Sequence, residues 1–523
     1  MPSEPQLKPG VHADAESGRP AVIEHESQRV LTYGELEDRS RRLAGLWRAR
    51  GLKPGDHVAV LLDNQATYFE VGWAAQRSGL YLTPVNWHLG AEEAAYVIAD
   101  CEARAIVSTA RFAPVLDELG EVIDDVSTRL IVDGHVTGWE DFTTTVAAAE
   151  PIGTKDELEG SWMFYSSGTT GRPKGIKPPP RDVPFGTGGP LEAMVTAMYG
   201  FRAGITYLSP APLYHAAPLA WSMAVHRLGG TVVVLERFDA QATLHAIEQH
   251  GVTHAQFVPT HFVRMLKLED ATRRRADLSS LELVVHAAAP CPPDVKDAML
   301  DWLGPIVHEY YSASEGAGFC AIGPDEWRDH RGSVGRSLLG AVHVLGANGD
   351  EVPVGETGQL WFEGGATFEY HGDPAKTAEV FDRRGWATMG DIGYVDTDGY
   401  VYLTDRVSHT VISGGVNIYP RETEDVLVVH PEVVDVAVIG VPDAEMGERL
   451  LAVVQPTADA EPGHALAEAL RAHCRDHLAS YKCPREIEFV AELPRLPTGK
   501  IRKSELRARY GTWSGQADVI ADH

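Results

Sequence analysis

The sequence predicts an α/β protein: a large N-terminal domain of mixed sheets and helices over residues 1–405, then a small C-terminal α+β domain over 406–523. Three observations carry this. A chain of 523 residues exceeds what one hydrophobic core supports, so it divides into domains. Short apolar runs alternate with amphipathic stretches through most of the chain, the pattern of strands packed against helices. A hairpin signal over 393–403, with Asp396-Thr397-Asp398-Gly399 as its turn, places a boundary near Asp405.

In chain order, Thr32 and Glu35 have capping-box spacing ahead of a helix rich in Arg and Leu. Residues 57–62, HVAVLL, read as a buried parallel strand, and a second amphipathic helix runs to Gly79. Further strands are expected at 105–108, 231–235, 281–285 and 306–310. Residues 176–190, IKPPPRDVPFGTGGP, read as a loop. After Asp405, residues 411–490 have the pattern of a separate α+β unit.

Composition narrows the function. The formal net charge is -28, from 74 acidic and 46 basic residues, and a chain so acidic repels a nucleic-acid backbone. The five cysteines are scattered without a C-x-x-C, so neither a disulfide framework nor a zinc site is expected. The N-terminal stretch MPSEPQLKPGVHADAESG has no apolar core of a signal peptide. No run approaches the ~20 apolar residues that span a bilayer. A cytoplasmic protein is expected.

Residues 165–175 read YSSGTTGRPKG. Ser166, Ser167, Thr169 and Thr170 supply hydroxyls, Gly168, Gly171 and Gly175 let backbone N–H groups converge on an anion, and Lys174 adds a cation. This is the chemistry of a phosphate loop. It is not a Walker A loop, because Lys174 lies between Pro173 and Gly175. Seven further segments follow: PLYHAAP (212–218), HAAAP (286–290), YYSASEG (310–316), GWATMGD (385–391), DRVSHTVISGGVNIYP (405–420), YKCP (481–484) and LPRLPTGK (493–500).

Together, and in this order, these segments resemble the adenylate-forming enzymes: acyl- and aryl-CoA ligases, luciferases and peptide-synthetase adenylation domains. The resemblance runs roughly from residue 31 to 507, and the wording of several segments is similar to actinobacterial fatty-acid-type CoA ligases. It implies ATP, Mg²⁺ and coenzyme A, a small carboxylic acid as substrate, and a mobile C-terminal domain. It also admits a homodimer.

The resemblance assigns roles residue by residue. Residues 166–171 and Lys174 cradle the triphosphate. Glu315 holds Mg²⁺, helped by the hydroxyl of Thr169, a hard oxygen set that suits this ion. Tyr311 stacks on adenine beside Ala288, Ala289 and Pro290, and Ser314 keeps the hydroxyl of the family's usual threonine. Asp391 takes the ribose hydroxyls in charge-assisted hydrogen bonds, and Arg406 contacts ribose or phosphate. Lys500 neutralises charge at the α-phosphate during adenylation. His215 gates the acyl pocket and thiol tunnel, and Gly414 with Gly415 lines the tunnel after the C-terminal domain has turned. One departure is Ser408, where the family's hinge is commonly Asp or Lys.

The positions that resemble the family's acyl-pocket wall are Ala216, Ala217, Trp221, Ala287, Gly316, Ala317 and Gly318, with His215 at their head. Small residues leave volume and apolar walls favour an apolar guest, so a bulky or long hydrophobic monocarboxylic acid is expected. Alternatives stay open at this level: an enzyme loading a carrier protein, a variant performing one half-reaction, a luciferase-like oxygenase and a non-catalytic nucleotide sensor.

Overall fold

The computed structural model describes residues 6–124, 126–166, 173–413, 416–443, 445–495 and 501–511. Its contacts divide the chain into two compact units: Met1–Ala288 with Leu300–Gly316 and Ala366–Glu379, and Ala289–Met299 with Ala317–Gly365 and Val380–His523. The expected C-terminal domain, 406–523, falls entirely in the second unit, together with segments that precede residue 405.

The first unit is α/β. One sheet has six strands, all parallel, in the order Glu140–Asp141, Thr128–Val132, Ala103–Thr109, His57–Leu61, Tyr81–Pro84, Ser161–Trp162. The run HVAVL is buried at every position, as a strand covered on both faces must be. A second sheet runs Val307–Ser312, Leu283–His286, His254–Phe257, Thr206–Ser209, Thr231–Val234 and Pro20–Glu24 in parallel, with Val30–Thr32 antiparallel beside the last. The helix Ala216–Leu228 is the crossover between two of these parallel strands, so it runs back against their direction. It ends at Gly229, whose φ of 83° is the left-handed cap that glycine supplies at no steric cost.

The capping box at Thr32 is present. Glu35 N–H donates to Thr32 Oγ1 at 3.2 Å, and Thr32 N–H donates to Glu35 Oε2 at 2.9 Å. Such a cap stabilises its helix, here Tyr33–Ala49, by about 1 kcal/mol. The loop expected at 176–190 needs one correction: Lys174–Lys177 is a strand, paired to Phe164–Ser166 on one side and Glu369–Tyr370 on the other. Its partner Glu369–Tyr370 lies far along the chain, outside the reach of a local reading.

The second unit holds an antiparallel sheet of Ala341–Leu345, Gly358–Glu363, Asp391–Val395 and Val401–Arg406, the last two being the expected hairpin. It also holds a five-stranded sheet centred on Val433–Asp443 and Gly447–Pro456. Side chains alternate across those two long strands. Val436, Val438, Leu450, Ala452 and Val454 pack with Leu427, Leu466 and Leu470 on one face. Ala437, Ile439, Val441, Leu451 and Val453 pack with Leu506 and Tyr510 on the other. None of the five cysteines forms a disulfide. Among the described residues, no helix is long and apolar enough to cross a membrane.

Candidate active site

Ser167, Gly168, Thr169, Thr170, Gly171, Gly414, Gly415 and Lys500 lie outside the described residues. Their flanks do not, and all three segments are bracketed in the same way. Ser166 pairs with Lys174, Ser413 with Val416, and Arg495 with Ile501, each in antiparallel register. Gly175 sits in close quarters where the first pair of strands meets: a Cβ there would stand 2.5 Å from Met163 Cε, so the methionine would have to shift, and a tight 3.1 Å from Tyr165 Cζ.

Three segments of the first unit converge on Lys174. Its Nζ stands 5.0 Å from the ring centroid of Tyr370, a cation–π contact. The Tyr370 hydroxyl donates to Glu315 Oε1 at 3.1 Å. Tyr370 is held in turn by its N–H, which donates to Thr377 Oγ1 at 2.9 Å. Burial, then repulsion from Lys376, holds the Lys174 ammonium below the usual lysine range, against the opposing pull of Glu379, Asp373 and Glu315. Burial, then the Glu315 charge, pushes the Tyr370 phenol up, so it stays a donor. A half-buried cation, a buried aromatic face and a half-buried carboxylate thus form one cluster. Tyr370 was missed by sequence reasoning; its one local signal is an aromatic pair, Phe368 and Tyr370, after Gly364-Gly365.

Tyr311 and Glu315 stand on and just beyond the strand Val307–Ser312; both are half-buried, and Ser314 is exposed. Ala287 is buried, whereas Ala288, Ala289 and Pro290 are exposed. Ala288 has φ of 72°, a left-handed conformation that costs a residue with a Cβ about 1 kcal/mol or more. His215 is the N-cap of the helix Ala216–Leu228, half-buried, with its ring centroid 4.5 Å from that of Tyr214.

The acyl-pocket positions divide. Ala216 and Ala217 are half-buried on the first turn of that helix. Trp221, one turn further on, is 3% exposed and stacks on Tyr310 at 5.3 Å and 12°. Tyr310 is 8% exposed, and its hydroxyl accepts from Gln256 Nε2 at 3.2 Å. Gly316 adopts φ of 68°, with the site of a Cβ 3.1 Å from Ala366. In the second unit Ala317 is fully buried, and a Cβ on Gly318 would stand 2.0 Å from the Phe362 ring, so the room that glycine leaves is filled by Phe362.

Also in the second unit, Asp391 and Arg406 oppose each other across the hairpin. Arg406 Nε lies 3.0 Å from Asp391 Oδ1, the carboxylate nearly buried and the guanidinium more than a third exposed. The next residues are tied from both sides. Asp405 Oδ1 accepts from the Arg406 N–H at 2.7 Å, and Oδ2 accepts from the Arg421 N–H at 3.1 Å. Burial works against the Asp405 charge, but the hydrogen bond from His409 and the charge of Lys503 outweigh it and hold the carboxyl below its usual range. Arg507, on the helix Lys503–Tyr510, donates to the carbonyls of Ser408 at 2.7 Å and His409 at 3.1 Å.

Comparison with known proteins gives this geometry its context. Residues 11–370 match the AMP-binding enzyme family, and residues 422–500 match the AMP-binding enzyme C-terminal domain. A feruloyl-CoA synthase of Amycolatopsis sp is 35% identical over 92% of this chain and 94% of its own. The fatty acid–[acyl-carrier-protein] ligase ScoC of Streptomyces coeruleorubidus is 31% identical over 97% of this chain and 96% of its own. The solved structure of the amide bond synthetase McbA from Marinactinospora thermotolerans superposes with a TM-score of 0.80 at 29% identity, covering 97% of this chain and 100% of that one. The chain belongs to the AMP-binding family of adenylate-forming enzymes and is an AMP-forming ligase.

Proposed function

We propose that the enzyme activates a hydrophobic monocarboxylic acid with ATP as an acyl-adenylate and then passes the acyl group to coenzyme A. In the first step a carboxylate oxygen bonds to the α-phosphorus and the bond to pyrophosphate breaks. In the second, the thiol sulfur bonds to the acyl carbon, AMP leaves, and the thiol proton is lost. The observation that carries this reading is the Lys174–Tyr370–Glu315 cluster, whose lysine follows the segment 166–171 in sequence.

The residues then take the following roles. Lys174 and the groups of 166–171 hold the triphosphate, positioning it and offsetting charge that grows on phosphoryl oxygens. Glu315 and the Thr169 hydroxyl would hold Mg²⁺; one carboxylate and one hydroxyl suit an ion that keeps waters and substrate phosphates as its other ligands. When bound, Mg²⁺ neutralises phosphate charge. Tyr370 orients Glu315 through its hydroxyl while its ring face steadies Lys174. Tyr311 stacks on adenine beside residues 288–290, Asp391 and Arg406 take the ribose, and Lys500 reaches the α-phosphate. His215 and the pair Gly414–Gly415 line the acyl and thiol paths. We place the working domains at 1–405 and 406–523, cytoplasmic, with the second domain turning about residues 406–409 between half-reactions. Support for this reading is that one family match ends at 370 and the other begins at 422.

The names of the relatives favour a second reading of the acceptor: a carrier-protein thiol or an amine in place of coenzyme A. One experiment tests both. ATP–pyrophosphate exchange across a panel of acids reports adenylation, and product analysis with coenzyme A, a carrier protein and simple amines reports the acceptor. Exchange without a coenzyme A thioester, but with an acylated carrier or an amide, replaces the first reading by the second.

A further inference from the structure

The acyl side of the first unit is shaped by elements that run in opposite directions. The helix Ala216–Leu228 returns against the parallel strands, so its first turn, after His215, lies level with their C-terminal ends. Ala217 and Trp221 share one helix face, four residues and about 6 Å apart along the axis. On the strand Val307–Ser312, alternation puts His308, Tyr310 and Ser312 on one face, with Ser312 at the C-terminal end and Tyr310 about 6.6 Å back. Trp221 and Tyr310 therefore sit about one helical turn below the rim. At that depth their rings stack face to face, 5.3 Å between centroids and 12° between planes.

The stack is braced. The Tyr199 ring is 5.5 Å from Trp221 and 5.9 Å from His308. Phe201 meets Trp221 edge-on at 5.6 Å. Gln256 donates to the Tyr310 hydroxyl. Exposure falls in step with depth: His215, Ala216 and Ala217 are half-buried, whereas Trp221 and Tyr310 are buried. The small half-buried residues at the head of the helix thus give way, one turn down, to a buried aromatic stack. No Lys or Arg occurs in 212–221, 254–257 or 307–318 to pair with a second carboxylate.

We infer that the stacked Trp221–Tyr310 pair is the floor of the acyl site and that it selects a compact aromatic monocarboxylic acid, one ring on a short linker, over a long-chain fatty acid. This deepens, and rests on, the acyl-adenylate reading. A short planar guest ends against the edge of the stack, in the edge-on geometry that aromatic pairs favour. A long straight chain runs into Trp221 instead. Small wall residues set the width of the site and the stack sets its length.

The test is ATP–pyrophosphate exchange by the full chain with benzoate, 3-phenylpropenoate, decanoate and palmitate. The wild type is expected to favour an aromatic acid over decanoate and palmitate by about tenfold or more in kcat/KM. Trp221→Ala should raise decanoate relative to the aromatic acid by about tenfold. Ala217→Phe, at a half-buried position, should lower use of the aromatic acid by about tenfold while KM for ATP stays put. It decides the matter if Trp221→Ala does not fold. Palmitate used as well as the aromatic acids overturns the inference. So does a Trp221→Ala ratio, or an Ala217→Phe loss, within about twofold of the wild type. No exchange with any acid withdraws the acyl-adenylate reading and this inference with it, an outcome distinct from exchange with the wrong acid.

Discussion

The phosphate side and the acyl side of the first unit are built from opposite materials. Around Lys174 the groups are polar, with the cation and the carboxylate half-buried on either side of a buried phenol, and each is held by a neighbour of different chemistry: a cation over a ring, a phenol on a carboxylate. Around Trp221 the groups are ring faces, buried and packed on one another. The first arrangement fixes charge, which every acid activated by the enzyme needs alike. The second fixes volume, which matters only to the acid. Variants on the phosphate side should scale all acids together, and variants on the acyl side should reorder them.

Lys500→Ala tests the first half of this contrast with the largest effect. Adenylation should fall by about 100-fold or more for every acid, because one stabilising charge is lost where charge develops. Transfer from a preformed acyl-AMP to the thiol should survive. Equal loss in both half-reactions, measured separately, would reject the assignment of Lys500.

Tyr370→Phe comes next. It keeps the ring beside Lys174 and removes the hydrogen bond to Glu315, a bond to a charged group. Exchange should drop about tenfold for aromatic and aliphatic acids alike. A change in the ranking of acids would show that the two sides are not separate.

The pH profile sharpens the same point. Lys174 must be protonated to hold phosphate, and its pKa is lowered. Its charge is therefore present at low pH and lost as pH rises through that lowered value, so the alkaline limb of kcat/KM for ATP should begin below the range of an ordinary lysine. Lys174→Arg keeps its charge throughout and should carry the limb upward. An unmoved limb assigns the titration to another group.

Gln256→Met should give the smallest effect. It removes the donor to the Tyr310 hydroxyl and keeps the bulk. The ratio between acids should move by about twofold to fivefold while KM for ATP stays constant. A shifted KM for ATP with an unchanged ratio would break the contrast from the acyl side.

The same contrast explains what was legible in the sequence. Ser166, Lys174, Glu315, Asp391 and Arg406 were singled out because their segments resemble those of a known family; the structure gathers Lys174 and Glu315 around Tyr370 and opposes Asp391 to Arg406 across a hairpin. The capping box and the 391–406 hairpin were readable because both are local. Tyr370 reaches Lys174 only because Glu369–Tyr370 pairs with a strand about two hundred residues earlier, and no local pattern announces such a pairing. Tyr310 was passed over because small residues were counted as empty space. Whether a cleft is open depends on which side chain returns from elsewhere: Phe362 fills the room beside Gly318, and Trp221 meets Tyr310. Packing is a property of pairs distant in sequence, so a list of wall residues gives width without depth.

Arg507 grips the backbone at Ser408 and His409 by their carbonyls, not by their side chains. Every residue type presents the same carbonyl, so this grip is indifferent to what stands at position 408. Serine in place of the family's Asp or Lys therefore leaves this fastening intact. A change of backbone angle at 408–409 bears directly on these two guanidinium bonds, which ties a helix some hundred residues downstream to the proposed hinge.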